Sequence, residues 1–169
     1  MEILAQILEF LKESYERIIP WFVLRDFEHG VVLRLGKFHR VLEPGLSWKV
    51  PLIDEVFEVR RSVTTLNVKP QTLTTLDGKD IVISAVVKYN VSDPRVFLVE
   101  VEDAVDAIGD ITQGKIKDLV CAKTWSDIKA MKDEELKKLV KDEARRWGVK
   151  VHYVTITDLA VIRTIRLMR

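Results

Sequence analysis

The feature that most constrains the fold is a pair of β-rich runs on either side of Asp77-Gly78. The runs are "QTLTT" and "KDIVISAVVKYNV", and Asp93-Pro94 follows the second one. An Asp-Gly pair between two such runs is a strong signal for a β-hairpin, because glycine tolerates the positive φ of a tight turn. Residues 71–91 therefore predict an antiparallel hairpin.

Shorter β-rich runs precede this hairpin. Residues 30–36, 56–61 and 64–68 are typical of short strands, and the first of them alternates between apolar and polar side chains. These runs predict that residues 28–68 form an antiparallel, β-rich first half of the chain.

The hydrophobic period changes after about residue 102. Apolar residues at helical spacing predict one helix over 102–124 and a second over 126–147, which Gly148 ends. Cys121 falls in an apolar helical context and is expected to be buried. Residues 149–159 alternate as a last strand. The fold class predicted from these patterns is α+β, with an α/β second half.

An amphipathic pattern precedes the β-rich half. Residues 2–17 place apolar side chains at steps of three and four, and a short apolar segment, residues 18–24, follows. We expect both to contact a membrane or a partner. The predicted contact residues are Ile3, Ile7, Leu11, Ile18, Ile19, Pro20, Trp21, Phe22, Val23 and Leu24.

Each of these two contacts has an alternative. Trp is favoured at the headgroup level of a bilayer, but the side chains of 20–24 can also pack on the domain's own sheet. Residues 1–28 carry six acidic and three basic residues, so an anionic lipid surface repels them. The helix over 2–17 therefore binds lipid through its apolar area alone, or it contacts another helix.

Composition excludes several classes of protein. The chain has 27 basic and 26 acidic residues, a balance that argues against a nucleic-acid binder. Its single cysteine excludes an internal disulfide. No apolar run reaches the roughly 18–20 residues of a spanning helix, and Glu2 stands where a signal peptide has basic residues. We expect no spanning helix, no signal peptide, no metal site and no cofactor.

An ordered set of glycines, prolines and acidic residues runs through most of the chain. Gly30 opens the first strand, Pro44-Gly45 precedes Trp48, and Trp147-Gly148 closes the second predicted helix. The full set is Gly30, Gly36, Pro44, Gly45, Pro51, Asp54, Asp77, Gly78, Asp93, Pro94, Trp147 and Gly148.

In its order and spacing, this set resembles the SPFH domain of stomatins, prohibitins and flotillins, with stomatin the most similar. The resemblance covers about residues 23–168 and implies an SPFH domain over 28–165, with an N-terminal contact segment at 1–27. It implies a non-enzymatic scaffold on one leaflet, peripheral or monotopic and on the cytoplasmic face. Implied partners are further copies of the chain in a ring, the lipid surface, and a membrane protease or channel.

Two departures from the family pattern bear on assembly. Family members usually begin with a longer apolar anchor and continue into a coiled coil, whereas here residues 166–169 are only the expected start of such a helix. A natural short variant and a truncated chain both fit. The charged face of the helix over 126–147 is either solvated or a contact between subunits.

Two other functions compete with the scaffold. One is a soluble adaptor that binds a partner through the N-terminal helix without lipid contact. The other is a hydrolase or protease subunit, although the sequence shows no Gly-x-Ser-x-Gly elbow.

Overall fold

A computed structural model of the chain describes Gln6 and residues 19–162. The chain divides into two compact units, residues 1–62 and residues 63–169. The helix predicted over 2–17 and the helical start predicted at 166–169 lie outside the described residues, and so do the predicted contact residues Ile3, Ile7, Leu11 and Ile18.

The first unit consists of five short strands. They are β1 (Trp21–Leu24), β2 (Glu28–Arg34), β3 (Lys37–Leu42), β4 (Gly45–Trp48) and β5 (Asp54–Arg60). β2 is the centre of an antiparallel sheet of order β3-β2-β5, and β1 pairs with β4 in an antiparallel two-stranded ribbon. A small hydrophobic core packs between these strands, and its buried members are Leu24, Val32 and Leu42.

The second unit packs helices on an antiparallel sheet of order β6-β7-β8. Its strands are β6 (Thr64–Thr74), β7 (Asp80–Val91) and β8 (Val149–Val161). A π-helical turn (Val96–Glu100) leads to α1 (Ala104–Ala122), α2 (Trp125–Ala130) and α3 (Asp133–Arg146). The core lies between the sheet and these helices; its fully buried members include Ile81, Ile83, Val87, Ile108, Ile116, Leu136 and Val140.

Within residues 19–162 the sheets are antiparallel and the helices lie after residue 91, which confirms the predicted α+β class. The predicted hairpin is β6–β7, and Gly78 in its turn has φ +73°. Asp77 fixes this turn: its carboxylate accepts hydrogen bonds from the Thr75 hydroxyl (2.6 Å) and the Trp125 N–H (3.0 Å). These bonds and the Lys79 ammonium hold the pKa of Asp77 well below its usual range.

The single helix predicted over 126–147 is wrong. The chain leaves the helix after Ala130, because Met131 is extended (ψ 139°) and packs against the core. A new helix begins at Asp133, whose carboxylate accepts hydrogen bonds from the Tyr153 and Thr155 hydroxyls of β8. Helical spacing alone did not reveal this break, since Met131 and Lys132 are both good helix formers.

Two other predictions need correction. The sequence predicts that the β-rich first half ends at residue 68, but strand β6 of the second unit begins at Thr64 and continues past Pro70. A register shift between Val68 and Gln71 accommodates the proline. Cys121, expected to be buried, is exposed on α1.

Gly148 joins the end of α3 to the end of β7. Its carbonyl accepts hydrogen bonds from the Ser92 N–H (2.8 Å) and the Asp93 N–H (2.9 Å). It has φ +70°, and a Cβ there would lie 2.4 Å from the Asp93 carbonyl oxygen. Both the backbone angle and the space therefore require glycine.

We expect Gly148→Ala to lower the free energy of unfolding by at least about 2 kcal/mol, because the added methyl meets main chain that has to move. Urea denaturation measures the change. The control is Gly114→Ala within α1, where the added Cβ meets open space and helix propensity favours alanine by roughly 0.5–1 kcal/mol. A Gly148→Ala variant as stable as the wild type would contradict the packing described here.

Candidate functional site

The ribbon of β1 and β4 presents an exposed apolar face. Trp21 lies directly opposite Trp48, and Val23 lies opposite Leu46. Side chains two apart on a strand share a face, so all four project from the same side of the ribbon. Their exposed fractions run from 51% for Trp21 to 66% for Leu46. The two indole rings meet edge to face with centroids 6.2 Å apart.

The opposite face of the same ribbon lies in the core. Leu24 is buried, and Phe22 packs against the cluster that it forms with Val32 and Leu42. Residues 21–24 of the apolar segment form strand β1. One face of this strand packs on the domain's own strands, as one alternative predicted, and the other face is exposed, as the contact alternative predicted. Leu24 and Phe22 pack on the domain's own strands, so they are corrected from contact residues to core residues. Trp21 and Val23 stay available for contact.

Two turns next to this ribbon each carry an exposed leucine in a left-handed backbone conformation. Leu35, in the β2–β3 turn, has φ +51° and is 76% exposed; Leu52, in the β4–β5 turn, has φ +70° and is 82% exposed. A branched apolar side chain is disfavoured in this region of φ/ψ space, and strained backbone of this kind clusters at functional sites.

An ion pair between Arg34, which is 37% exposed, and the buried Asp54 carboxylate holds the two turns together. The Arg34 guanidinium donates to both carboxylate oxygens of Asp54, at 2.7 and 3.0 Å. The second oxygen also accepts a hydrogen bond from the Val50 N–H (2.8 Å), and the Leu35 N–H donates to the Ile53 carbonyl (2.9 Å). The carboxylate of Asp54 thus fixes both turns at once.

The ribbon face leads along the chain into the Leu52 turn, and the hydrogen bond from the Leu35 N–H to the Ile53 carbonyl ties the other turn to it. The Lys49 N–H donates to the Pro20 carbonyl (2.7 Å) at the end of the ribbon, and the turn of Leu52 begins at the next residue, Val50. We call this surface the apolar rim. It consists of Trp21, Val23, Leu35, Leu46, Trp48, Val50 and Leu52, all exposed.

Sequence reasoning found only Trp21 and Val23 of the rim. It missed the other five, because each is an isolated apolar residue in a short strand or turn. The sequence nonetheless held a signal, since Leu35 precedes Gly36 and Leu46 follows Gly45. In the structure both glycines have positive φ, Gly36 in the β2–β3 turn and Gly45 at the start of β4.

The predicted signature residues are divided between the two units, and several of them have a structural role within their own unit. Gly30 lies where a Cβ would come 2.9 Å from the Leu24 side chain, and Gly36 and Gly45 have φ +76° and +115°. Pro51 stands between the rim residues Val50 and Leu52. Asp54, Asp77 and Gly148 make the contacts described above. The remaining members are Pro44, Gly78, Asp93, Pro94 and Trp147, of which Trp147 packs against the core of the second unit.

Three observations concern other kinds of site. Within residues 19–162, no cluster of three or more potential metal-ligating side chains is found. Nor does that part of the chain contain a helix long and apolar enough to cross a bilayer. His29 Nδ1 lies 3.5 Å from the Glu43 carboxylate, and His152 Nε2 lies 2.7 Å from the Asn90 side-chain oxygen.

Comparison with known proteins decides the family. The family model described as "SPFH domain / Band 7 family" matches residues 22–166. The chain belongs to this family. The match confirms the resemblance drawn from the glycines, prolines and acidic residues, and it begins within β1.

Relatives come from archaea, bacteria and animals. The chain is 25% identical to a stomatin homolog of Pyrococcus horikoshii over 93% of its length, and 24% identical to Stomatin-4 of Caenorhabditis elegans over 81%. It is 34% identical to Protein HflK of Vibrio cholerae over 59% of its length. These matches span 58%, 50% and 25% of the relatives' own lengths, so the chain corresponds to part of each.

The ion pair between Arg34 and Asp54 predicts how the stability of these turns depends on pH. Hydrogen bonding to Arg34 lowers the pKa of Asp54 to about 2, with a smaller contribution from the Val50 N–H, while burial opposes the shift. An unpaired Asp has a pKa of about 3.9. The stability that the ionised Asp54 carboxylate contributes to the fold is therefore complete above about pH 4 and is lost as the pH falls through about 2.

We therefore expect exchange of the Val50 amide hydrogen, corrected for intrinsic chemical rates, to accelerate between about pH 4 and about pH 2. In Asp54→Asn this added acceleration is absent, and exchange is faster at about pH 5 already, because the pair with Arg34 is lost. Two-dimensional NMR follows the amide. The control is Asp26→Asn, an exposed carboxylate of the same unit. Equal Val50 protection in both variants would refute the coupling.

Proposed function

We infer that this SPFH-domain chain is a non-enzymatic, membrane-associated scaffold that contacts one leaflet peripherally through the apolar rim. The observation that carries this is the rim itself: seven exposed apolar side chains in one unit, two of them on left-handed turns held by the Arg34–Asp54 ion pair. Contiguous exposed apolar surface of this kind marks contact with a membrane or a partner protein.

The composition of the rim favours a lipid interface. Trp21 and Trp48 combine an apolar ring with an N–H that hydrogen-bonds at the headgroup level. Leu35 and Leu52 extend from turn tips, a geometry that lets them insert while the strands stay outside the hydrocarbon. Lipid contact by the Ile3/Ile7/Leu11 stripe, and the cytoplasmic face as location, remain part of the proposal on the strength of the family resemblance.

We expect Leu35→Asn/Leu52→Asn to weaken binding to phosphatidylcholine vesicles by about tenfold, since two inserted leucine side chains are lost. Asn tolerates the left-handed backbone, so the variant keeps its fold. Vesicle flotation measures the bound fraction. Because the contact is apolar, binding of the wild type should change little between about 50 and about 500 mM salt.

The control is Leu76→Asn/Leu139→Asn, which removes two exposed leucines from the second unit and should float like the wild type. Equal flotation of all three proteins would disprove lipid contact through the rim. A wild type that does not float at all, with an intact fold, would favour the soluble adaptor.

Scaffolding also requires assembly, and we propose that the chain joins a ring of further copies, with a membrane protease or channel as neighbour. Support comes from the family match and from the relatives. The described structure is of a single chain. The charged face of α3 is the proposed contact between subunits.

We expect light scattering after size-exclusion chromatography to give a discrete mass of many 19.5 kDa units in the presence of detergent or nanodiscs. Charge reversal on α3 with Lys138→Glu should reduce that mass, since like charges facing each other across an interface disfavour it. A monomer under every condition would mean that this chain does not assemble by itself.

A further inference from the structure

A groove of about 580 Å³ lies in the first unit, between β5 and the start of β1. It is lined by residues 54–58 of β5 and by Ile19, Trp21, Phe22 and Lys49. Its volume is in the range of ligand sites, which run from about 300 to about 1,000 Å³. The strand that forms one wall of this groove is an edge strand, and this decides what the groove can bind.

Hydrogen bonds at the two ends of β5 show which way its backbone groups point. Among the strands that the structure describes, β2 is the one partner of β5, and their antiparallel register runs without a shift. At one end, the Leu35 N–H donates to the Ile53 carbonyl (2.9 Å). At the other end, the Arg61 N–H donates to the Phe27 carbonyl (2.8 Å). Because hydrogen-bonded pairs alternate along such strands, every second residue in between, beginning with Glu55, directs its N–H and C=O toward β2.

The backbone groups of the intervening residues point away from β2. Asp54 confirms this direction, because its N–H donates to the Val50 carbonyl outside the sheet (3.0 Å). Val56 and Glu58 have the same phase, and within residues 19–162 their N–H and C=O groups meet no further strand. An unpaired strand edge of this kind is a template for an added strand from another chain.

The groove is lined by residues from both faces of β5. Val56 and Glu58 share one face, and Val56 packs against the core of the unit. Glu55 and Phe57 share the other face, and Phe57 is 41% exposed. A groove that both faces line extends around the edge of the strand. An added strand occupies such a space, because its own side chains alternate between the same two faces.

The charge of the groove favours a basic partner. Glu55 and Glu58 are exposed, and within residues 19–162 neither carboxylate has an ion-pair partner. The third carboxylate of the lining, Asp54, is already paired with Arg34. Lys49 is the one cation among the lining residues. Opposite charges directly across a strand pair stabilise it, whereas like charges destabilise it.

The spacing of the two glutamates predicts the pattern of the added strand. Glu55 and Glu58 are three positions apart, on opposite faces, with Val56 and Phe57 between them. The complementary segment therefore has two basic residues three positions apart, with two apolar residues between them. This pattern of basic, apolar, apolar, basic reads the same in both strand directions.

We propose that the groove binds, as a strand added to β5, a basic–apolar–apolar–basic segment that flanks a membrane-spanning helix of a partner protein. Trp21 belongs to both the groove and the apolar rim, so contact of the rim with a leaflet brings the groove to the bilayer surface. Cytoplasmic segments within about 15–20 residues of a spanning helix carry an excess of Lys and Arg. The origin of the segment thus rests on the function proposed for the rim, whereas its pattern follows from the groove alone.

Fluorescence anisotropy with the labelled peptide Thr-Thr-Lys-Val-Val-Lys-Thr-Thr tests the groove in solution. We expect saturable binding, and at least an about fivefold loss of affinity in Glu55→Gln/Glu58→Gln, because two cross-strand charge pairs are removed. The control is Asp26→Asn/Glu43→Gln, which removes the same charge from exposed positions of the same unit outside the groove. This control should change affinity less than about twofold. Absence of saturable binding, or an equal loss in both variants, would overturn the proposal.

Two changes to the peptide test the added strand itself. Reordering its centre to Val-Lys-Val-Lys puts both lysines on one face, where they reach one of the two glutamates, so we expect weaker binding. An N-methyl group on a valine that pairs with β5 removes a backbone donor, so at least one of the two N-methylvaline peptides should lose binding. Equal binding of the reordered peptide, or of both N-methylated peptides, would refute strand addition.

The same proteins separate this proposal from the function of the rim. The variant Leu35→Asn/Leu52→Asn should bind the peptide like the wild type, because neither leucine lines the groove. A wild type that binds the peptide but does not float with vesicles would overturn the rim function and leave the groove. Flotation without peptide binding would overturn the groove alone. Self-association in sedimentation velocity that the peptide disrupts would make a second copy the occupant and refute the partner segment.

Discussion

The carboxylate of Asp54 is the interaction on which the candidate contact surface depends. It accepts two hydrogen bonds from the Arg34 guanidinium and one from the Val50 N–H, so the turns that carry Leu35 and Leu52 have fixed positions. A buried carboxylate without these donors is costly, and breaking such a pair by removing one partner leaves an uncompensated charge. The arginine and the aspartate therefore stabilise two strained, exposed turns that apolar packing does not reach.

Among the described residues of this unit, the core cluster buries Leu24, Val32 and Leu42, and a large apolar surface lies outside it. The strain at Leu35 and Leu52 and the exposure of Trp21 and Trp48 both disfavour the isolated folded state. Contact of this surface with a membrane or a partner offsets that cost, since apolar area removed from water contributes about 25 cal/mol per Å².

Particular residues show how far prediction from the sequence reached. The Asp77-Gly78 hairpin was found because turn chemistry and strand propensity agree over consecutive residues. The break at Met131 was missed because its cause is distant in sequence: Asp133 is held by Tyr153 and Thr155, twenty or more residues further along. In the segment 20–24, composition suggested contact for every side chain, whereas pairing with β4 turned Phe22 and Leu24 inward and left Trp21 and Val23 exposed.

The α+β class, the hairpin, the family and the apolar character of residues 18–24 could all be predicted from the sequence. They follow from local period, turn residues and an ordered set of glycines and prolines, all of which are properties of neighbouring positions. Which apolar residues are exposed together, and which turns are held together, depends on tertiary contacts. Strand register pairs Trp21 with Trp48, and the ion pair of Arg34 with Asp54 joins the turns that carry Leu35 and Leu52. Both arrangements join residues that are far apart in the chain, and no local pattern specifies which distant side chains will meet.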